Sequence, residues 1–292
     1  MPPLIFRTWV PAFFMGLFGK SVAILSTYFY VGVVVTLLLC ILIASQLYCT
    51  RWMLYLMVGV LVARTFPRVD FTHWGGMRYA LGLLAIFLAI RFFRNQKGVW
   101  LYAAGIISAL AVLTSVDVGG CAITAIAGTL AFSGIFMVGG KNLARKGVPC
   151  YGLGILSIGI PYGIYLFINH ALIAYVDSVF TVMTRMPQTI DMHLISMMPK
   201  NPWEALLAMV NPNAENFKHM TPAYLYLILA VCLFRQIKRR ELTTDDLCIV
   251  CLGFYGLLLY IAAFRMLWSS QLEMALQPEK ILLFFLLEEF YL

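Results

Sequence analysis

The chain has 292 residues, of which 62% are hydrophobic and 12% charged, with a formal net charge of +8 and a mean hydropathy of +0.88. Soluble domains carry about 25% charged residues, and no soluble fold of this length hides so much apolar surface. An ordinary soluble enzyme is therefore excluded, and so is a nucleic-acid partner, because the bases sit in short loops between apolar runs, where they set membrane topology.

The first twenty residues carry Pro2, Pro3 and Pro11 and no small-residue cleavage site, so they do not read as a secretory signal. Residues 8–19 are aromatic, apolar and short, which suits a helix lying in the interface. A hydrocarbon core about 30 Å thick takes roughly 20 apolar residues as helix. Runs of that character follow at 21–46, 52–65, 78–94, 98–115, 119–138, 150–169, 221–235, 246–265 and 281–292. The expectation is an all-α, polytopic transmembrane helical bundle of about nine spans, forming a single transmembrane domain over 1–292. The last run stops after about three turns, which points either to an internal fragment of a longer protein or equally to a divergent or degenerate one.

Three loops concentrate the bases: "RFFRNQK" at 91–97, "KNLARK" at 141–146 and "RQIKRR" at 235–240. Two runs separate each neighbouring pair, so all three loops fall on one face. The positive-inside rule makes that face cytoplasmic and the N-terminus outside. Eleven of the 21 Lys and Arg residues then lie inside. All four histidines and eight acids, among them Asp70, Asp117, Glu273 and Glu279, lie outside. The span interiors read as almost free of charge, which counts against proton-coupled transport.

Several stretches have a plain structural reading beside a functional one. Residues 170–220 form the long extracytoplasmic loop, and "NPWEALLAMV" within it has the spacing of an amphipathic helix. "TTDD" at 243–246 reads as a helix start capped by Thr243 or Thr244. "GLGILSIGIPYGIY" at 152–165 is either a close-packing face or a broken substrate-binding helix. Cys248 and Cys251 form a C-x-x-C inside a run, with no second pair or His at zinc spacing, and read as buried thiols.

Three places could carry chemistry. Asp117, in "ALAVLTSVDVGG" (109–120), is a carboxylate at a helix end, favoured there by the helix dipole beside a turn built by Gly119 and Gly120. It is either that cap or part of a site. "RVDFTHWGGMR" (68–78) gathers Arg68, Asp70, His73 and Arg78, and Asp70 and His73 share a face if helical. Such a carboxylate or imidazole serves general-base work, or a divalent ion, although two ligands do not make a metal site. Arg265 ends a run beside Trp268, and its planar fork matches a phosphate as well as it anchors an interface. Glu273, Glu279 and Lys280 share the loop that follows and could form an ion network or touch a head group.

"AAGIISALAVLTSVDVGGCAI" (103–123) resembles a hairpin of the GT-C type membrane glycosyltransferases. "FFMGLFGKSVAILSTYFYVGVVVTLLLCILIASQL" (13–47) is similar to the segment after their first extracytoplasmic loop. "YGLLLYIAAFR" (255–265) with "SSQLEMALQPEK" (269–280) is similar to their late span ending in an exposed arginine. The resemblance implies an enzyme of a membrane such as the bacterial inner membrane, taking a sugar from a polyprenyl-phosphate donor to an extracytoplasmic acceptor. It implies Asp70, His73 and Asp117 as acid–base residues or contacts to a divalent metal. Arg78, Arg265, Glu273 and Lys280 would face the lipid-linked phosphate. Two departures stand out. No acid precedes Asp70, where the family carries its loop carboxylate, and Ser115 stands where the family often has Lys. The alternatives are a transporter or permease for a lipid-linked or small substrate, and a non-catalytic membrane subunit.

Overall fold

The structure, a computed structural model, describes residues 10–65, 76–184, 207, 210–211, 217–263 and 275–292. Among them are eleven helices and no strand: α1 (Val10–Phe18), α2 (Val22–Leu47), α3 (Arg51–Thr65), α4 (Gly76–Asn95), α5 (Gly98–Thr114), α6 (Val116–Phe136), α7 (Gly140–Ile168), α8 (Leu172–Thr184), α9 (Phe217–Arg239), α10 (Thr244–Ala263) and α11 (Gln277–Tyr291). Four helices are long and apolar enough to cross a membrane: Val22–Leu47, Val116–Phe136, Gly140–Ile168 and Thr244–Ala262. Each of the nine apolar runs lies in a helix of its own, but only these four meet that standard of length and composition among the described residues.

Local chemistry sets the helix ends. The Ser21 hydroxyl accepts the Ile24 N–H at 3.3 Å and starts α2. Thr243, not Thr244, caps α10: its Oγ1 accepts the Asp246 N–H at 3.3 Å, while its own N–H donates to Asp246 Oδ2 at 2.7 Å. That reciprocal arrangement is a capping box with Asp in the usual Glu position. Inside the bundle, hydroxyls with no water available turn back on their own helix. Thr36 donates to the Gly32 carbonyl, Thr129 to Ala125 and Ser133 to Leu130, all within 2.8 Å.

Close packing explains the glycine-rich stretch of α7. The helix runs unbroken through Pro149 and Pro161. A Cβ on Gly154 would fall against the Tyr102 carbonyl oxygen and 3.0 Å from Gly105 Cα of α5. The small residues bring α5 and α7 together, as in other membrane helix pairs, and the broken-helix alternative does not hold. Only 17% of the apolar window of α7 is buried; Leu153, Leu156, Ile160, Ile164 and Phe167 face outward. A face that apolar belongs against lipid chains.

The helix directions follow from a few contacts. Arg78 at the start of α4 pairs with Asp117 at the start of α6. At the far end of α4, Arg94 Nη2 lies 2.8 Å from Asp245 Oδ1, in the first turn of α10. Gly147 of α7 packs on Phe92, so residues 141–146 sit near that same end. Lys238 and Arg239 close α9 just before α10 begins. The three basic clusters therefore share one end of the bundle, here the basic end, and Arg78 with Asp117 marks the opposite one. None of the three is mainly a loop, however: residues 91–95 are the last turn of α4, 141–146 the first turns of α7 and 235–239 the last turn of α9.

Candidate functional site

The site at the Asp117 end is built by three helix segments. Ser115 closes α5 and opens α6 in a single residue, so the connection is too short for a glycine turn. Gly119 and Gly120 lie within α6. A Cβ on Gly119 would run into the Val112 backbone of α5, whereas Gly120 faces open space. Gly119 thus lets the first turn of α6 lie against the last turn of α5, and that contact aims Asp117 across at α4. The turn expected from the two glycines is replaced by helix-on-helix contact.

Arg78 Nη2 stands 3.6 Å from Asp117 Oδ2, with both side chains about a quarter exposed (20% and 26%). That distance exceeds a hydrogen bond's usual 2.7–3.2 Å, so the pair is an electrostatic contact rather than a closed bidentate lock. The guanidinium carbon also lies 5.4 Å from the centre of the Tyr79 ring, within range of a cation–π contact. Its Nε is buried and donates to nothing. A carboxylate and a cation, each partly open to solvent, therefore sit side by side with donor capacity unspent.

A third group joins them from α10. Tyr255 is 0% exposed, and its hydroxyl has no hydrogen-bond partner. It lies at Gly82, one helical turn beyond Arg78 on α4, where a Cβ would collide with it and meet Val118 Cγ1 at 2.7 Å. Gly82 is thus the point where α4, α6 and α10 converge below the ion pair. Neither Gly82 nor Tyr255 stands out in the sequence, since both lie inside apolar runs.

Of the residues singled out from sequence, Arg78 and Asp117 come together. Asp70, His73, Arg265 and Glu273 lie outside the described residues, as does most of the amphipathic stretch at 201–210. Lys280 is placed differently from the expected loop. It belongs to the first turn of α11, where its Nζ is buried. Among the described residues no three His, Cys, Asp or Glu side chains come together to hold a metal ion. Cys248 and Cys251 are buried thiols. Cys248 Sγ donates to the Thr244 carbonyl at 3.3 Å, as a structural group does.

Comparisons with family models, with curated proteins and with solved structures found no match to this chain.

Proposed function

We propose that the chain is the membrane core of a glycosyltransferase that moves a sugar from a polyprenyl-phosphate donor to an extracytoplasmic acceptor. The observation that carries this reading is the open Arg78–Asp117 pair, set at the end of the bundle away from the three basic clusters. With the basic end in the cytoplasm the pair lies on the outer face, and a count of nine spans would set the N-terminus there as well. The bacterial inner membrane is the setting that the resemblance suggests. The order of the hairpin, the long early span and the late arginine adds to the reading.

Each side chain then has one task. The guanidinium of Arg78 donates from Nη and Nε to phosphate oxygens of the donor. Asp117 accepts the proton of the acceptor hydroxyl as that oxygen bonds to the anomeric carbon. The bond from that carbon to the phosphate oxygen breaks, and the phosphate leaves with the electron pair, its charge held by Arg78. Asp70, His73 and Arg265 belong to the same reading as further outer-face groups.

Asp117→Asn removes the base but keeps the shape, and Arg78→Gln removes the cation. General-base catalysis contributes about 10²–10⁴-fold, so sugar transfer from a polyprenyl-phosphate donor by the membrane-embedded full-length protein should fall by about that factor in Asp117→Asn. A fall of at least tenfold is expected in Arg78→Gln. Undiminished transfer in both variants overturns the proposal.

A further inference from the structure

The last helix carries ionisable groups into the interior of the bundle. Pro278 at its start packs on Gly256 of α10, where a Cβ would lie 2.9 Å from Pro278 Cβ. Gly256 is twelve residues along α10 from Thr244 and seven before Ala263, so at 1.5 Å per residue it sits about 18 Å from one end and 10 Å from the other. Helix α11 therefore begins inside the bundle and runs to the start of α3, where Glu288 accepts the Cys49 and Thr50 N–H groups. The interior is not charge-free, as the apolar runs suggested: Glu279 and Lys280 stand in it.

Glu279 is 5% exposed. Its Oε1 accepts the Tyr226 hydroxyl of α9 at 2.6 Å, and its Oε2 is buried with no hydrogen-bond partner. Its own backbone N–H lies close to the carboxyl without bonding Oε2. The groups facing it come from several elements. Tyr226 reaches it from α9, and Tyr260 of α10 lies beyond, its ring 6.3 Å from that of Tyr226 and within electrostatic range of the carboxyl. Cys40 of α2 neighbours Lys280, and the Tyr48 hydroxyl, also from α2, donates to the Ile281 carbonyl at 2.7 Å. The ring contact of Trp52 in α3 with Tyr291 lies at the other end of α11. Lys280 is the charge beside the carboxyl on its own helix.

A buried carboxylate oxygen with nothing to accept is the arrangement that neutralisation relieves, and an ionisable group within a membrane bundle marks function by default. We propose that Glu279, held by Tyr226, is a proton-binding site inside the bundle. Water supplies one proton to Oε2 and takes it back, while Oε1 stays on the Tyr226 hydroxyl. Uptake changes the Glu279–Lys280 cluster from neutral to singly positive. It also turns a charge-assisted bond into a neutral one of roughly half the strength. The tie between α9 and α11 is thus tight in the ionised form and loosens as pH falls through the site's titration. The site stands apart from Arg78 and Asp117, and sugar transfer is not its readout.

Infrared difference spectroscopy of the full chain in lipid vesicles, acidic minus alkaline buffer, tests this. A carbonyl stretch of a weakly hydrogen-bonded carboxylic acid should appear on acidification, vanish in Glu279→Gln, and shift in frequency in Tyr226→Phe. Tyr226→Phe carries the test alone if Glu279→Gln does not fold. A band that survives Glu279→Gln overturns the proposal, as does the absence of any such band in the unmodified chain at every pH. Loss of the band in Glu279→Gln with no shift in Tyr226→Phe overturns the part given to Tyr226.

Discussion

Two buried glutamates on α11 meet opposite fates nine residues apart (288 − 279). Glu288, 1% exposed, accepts the Cys49 N–H at 3.0 Å, the Thr50 N–H at 2.6 Å and the Thr50 hydroxyl. It fills the N-terminal end of α3 from another helix, satisfying amides that the helix itself leaves open. Glu279 has one donor and an oxygen with none. Burial is nearly the same and the chemistry is not. A carboxylate with both oxygens engaged near a helix N-terminus is structural, and one left half-engaged in an apolar interior is free to change its charge.

The contrast is broken most severely at Glu288. Glu288→Ala leaves two part-buried backbone amides and a hydroxyl without their acceptor, and hydrogen bonds to a charged group contribute about 1.5–3 kcal/mol each. The losses are not additive, so a destabilisation of about 3 kcal/mol is expected, read as a lowered midpoint of unfolding in detergent. Glu279→Gln should leave the midpoint unchanged or raise it, because it removes a buried charge that one hydroxyl only half compensates. If Glu279→Gln costs as much as Glu288→Ala, the distinction between the two carboxylates fails.

Why the sequence showed the runs and not this pair is a matter of where helices begin. A long apolar run in a membrane has to satisfy its backbone within itself and so forms helix, and the described part of each of the nine runs lies in a helix, the largest mismatch being the ten extra residues at the start of α7. The start of a helix is decided by its neighbours. Lys141, Arg145 and Lys146 read as a loop, yet they are helical because the α6–α7 turn ends at Gly139. Glu279 and Lys280 read as loop residues because the apolar run starts at Ile281, whereas Pro278 seats the first turn against Gly256. Helix α8 was hidden for another reason: Leu172–Thr184 has 13 residues, too few to span a bilayer, and falls within the stretch read as one long loop. At the candidate site, Arg78 and Asp117 were each visible as isolated charges. Their pairing, across 39 positions (117 − 78), needed α5 folded between them.

The convergence beneath that pair offers a smaller effect. Gly82→Ala places a methyl on the Tyr255 hydroxyl and within 2.7 Å of Val118 Cγ1, and overpacking of this kind costs about 1–3 kcal/mol. Tyr255→Phe alone should be nearly neutral, since the hydroxyl it removes bonds to nothing. Combined with Gly82→Ala it should restore part of the loss, and thermal unfolding of the four variants gives the coupling directly. No coupling would mean that Tyr255 does not abut Gly82. If the hydroxyl instead reaches a ligand at the Arg78 site, Tyr255→Phe lowers donor affinity while leaving stability alone.

The smallest effect compares the two ion pairs that mark the ends of the bundle. Arg94 Nη2 and Nε reach Asp245 Oδ1 at 2.8 and 3.0 Å, a tighter geometry than the 3.6 Å of Arg78 and Asp117. Yet the Asp245 side chain is 64% exposed, so water and salt screen most of what the geometry offers. Exposed pairs contribute about 0.2–1 kcal/mol, and Asp245→Asn should move the unfolding midpoint by no more than that, with the difference fading as salt is raised. It should leave sugar transfer unchanged, whereas Asp117→Asn, with its longer and weaker contact, should lower transfer sharply. The better-formed pair is then the one with the lesser role, because closeness measures how much of a charge is already spent on its partner. A loss of transfer in Asp245→Asn equal to that in Asp117→Asn would undo the assignment of chemistry to one end of the bundle.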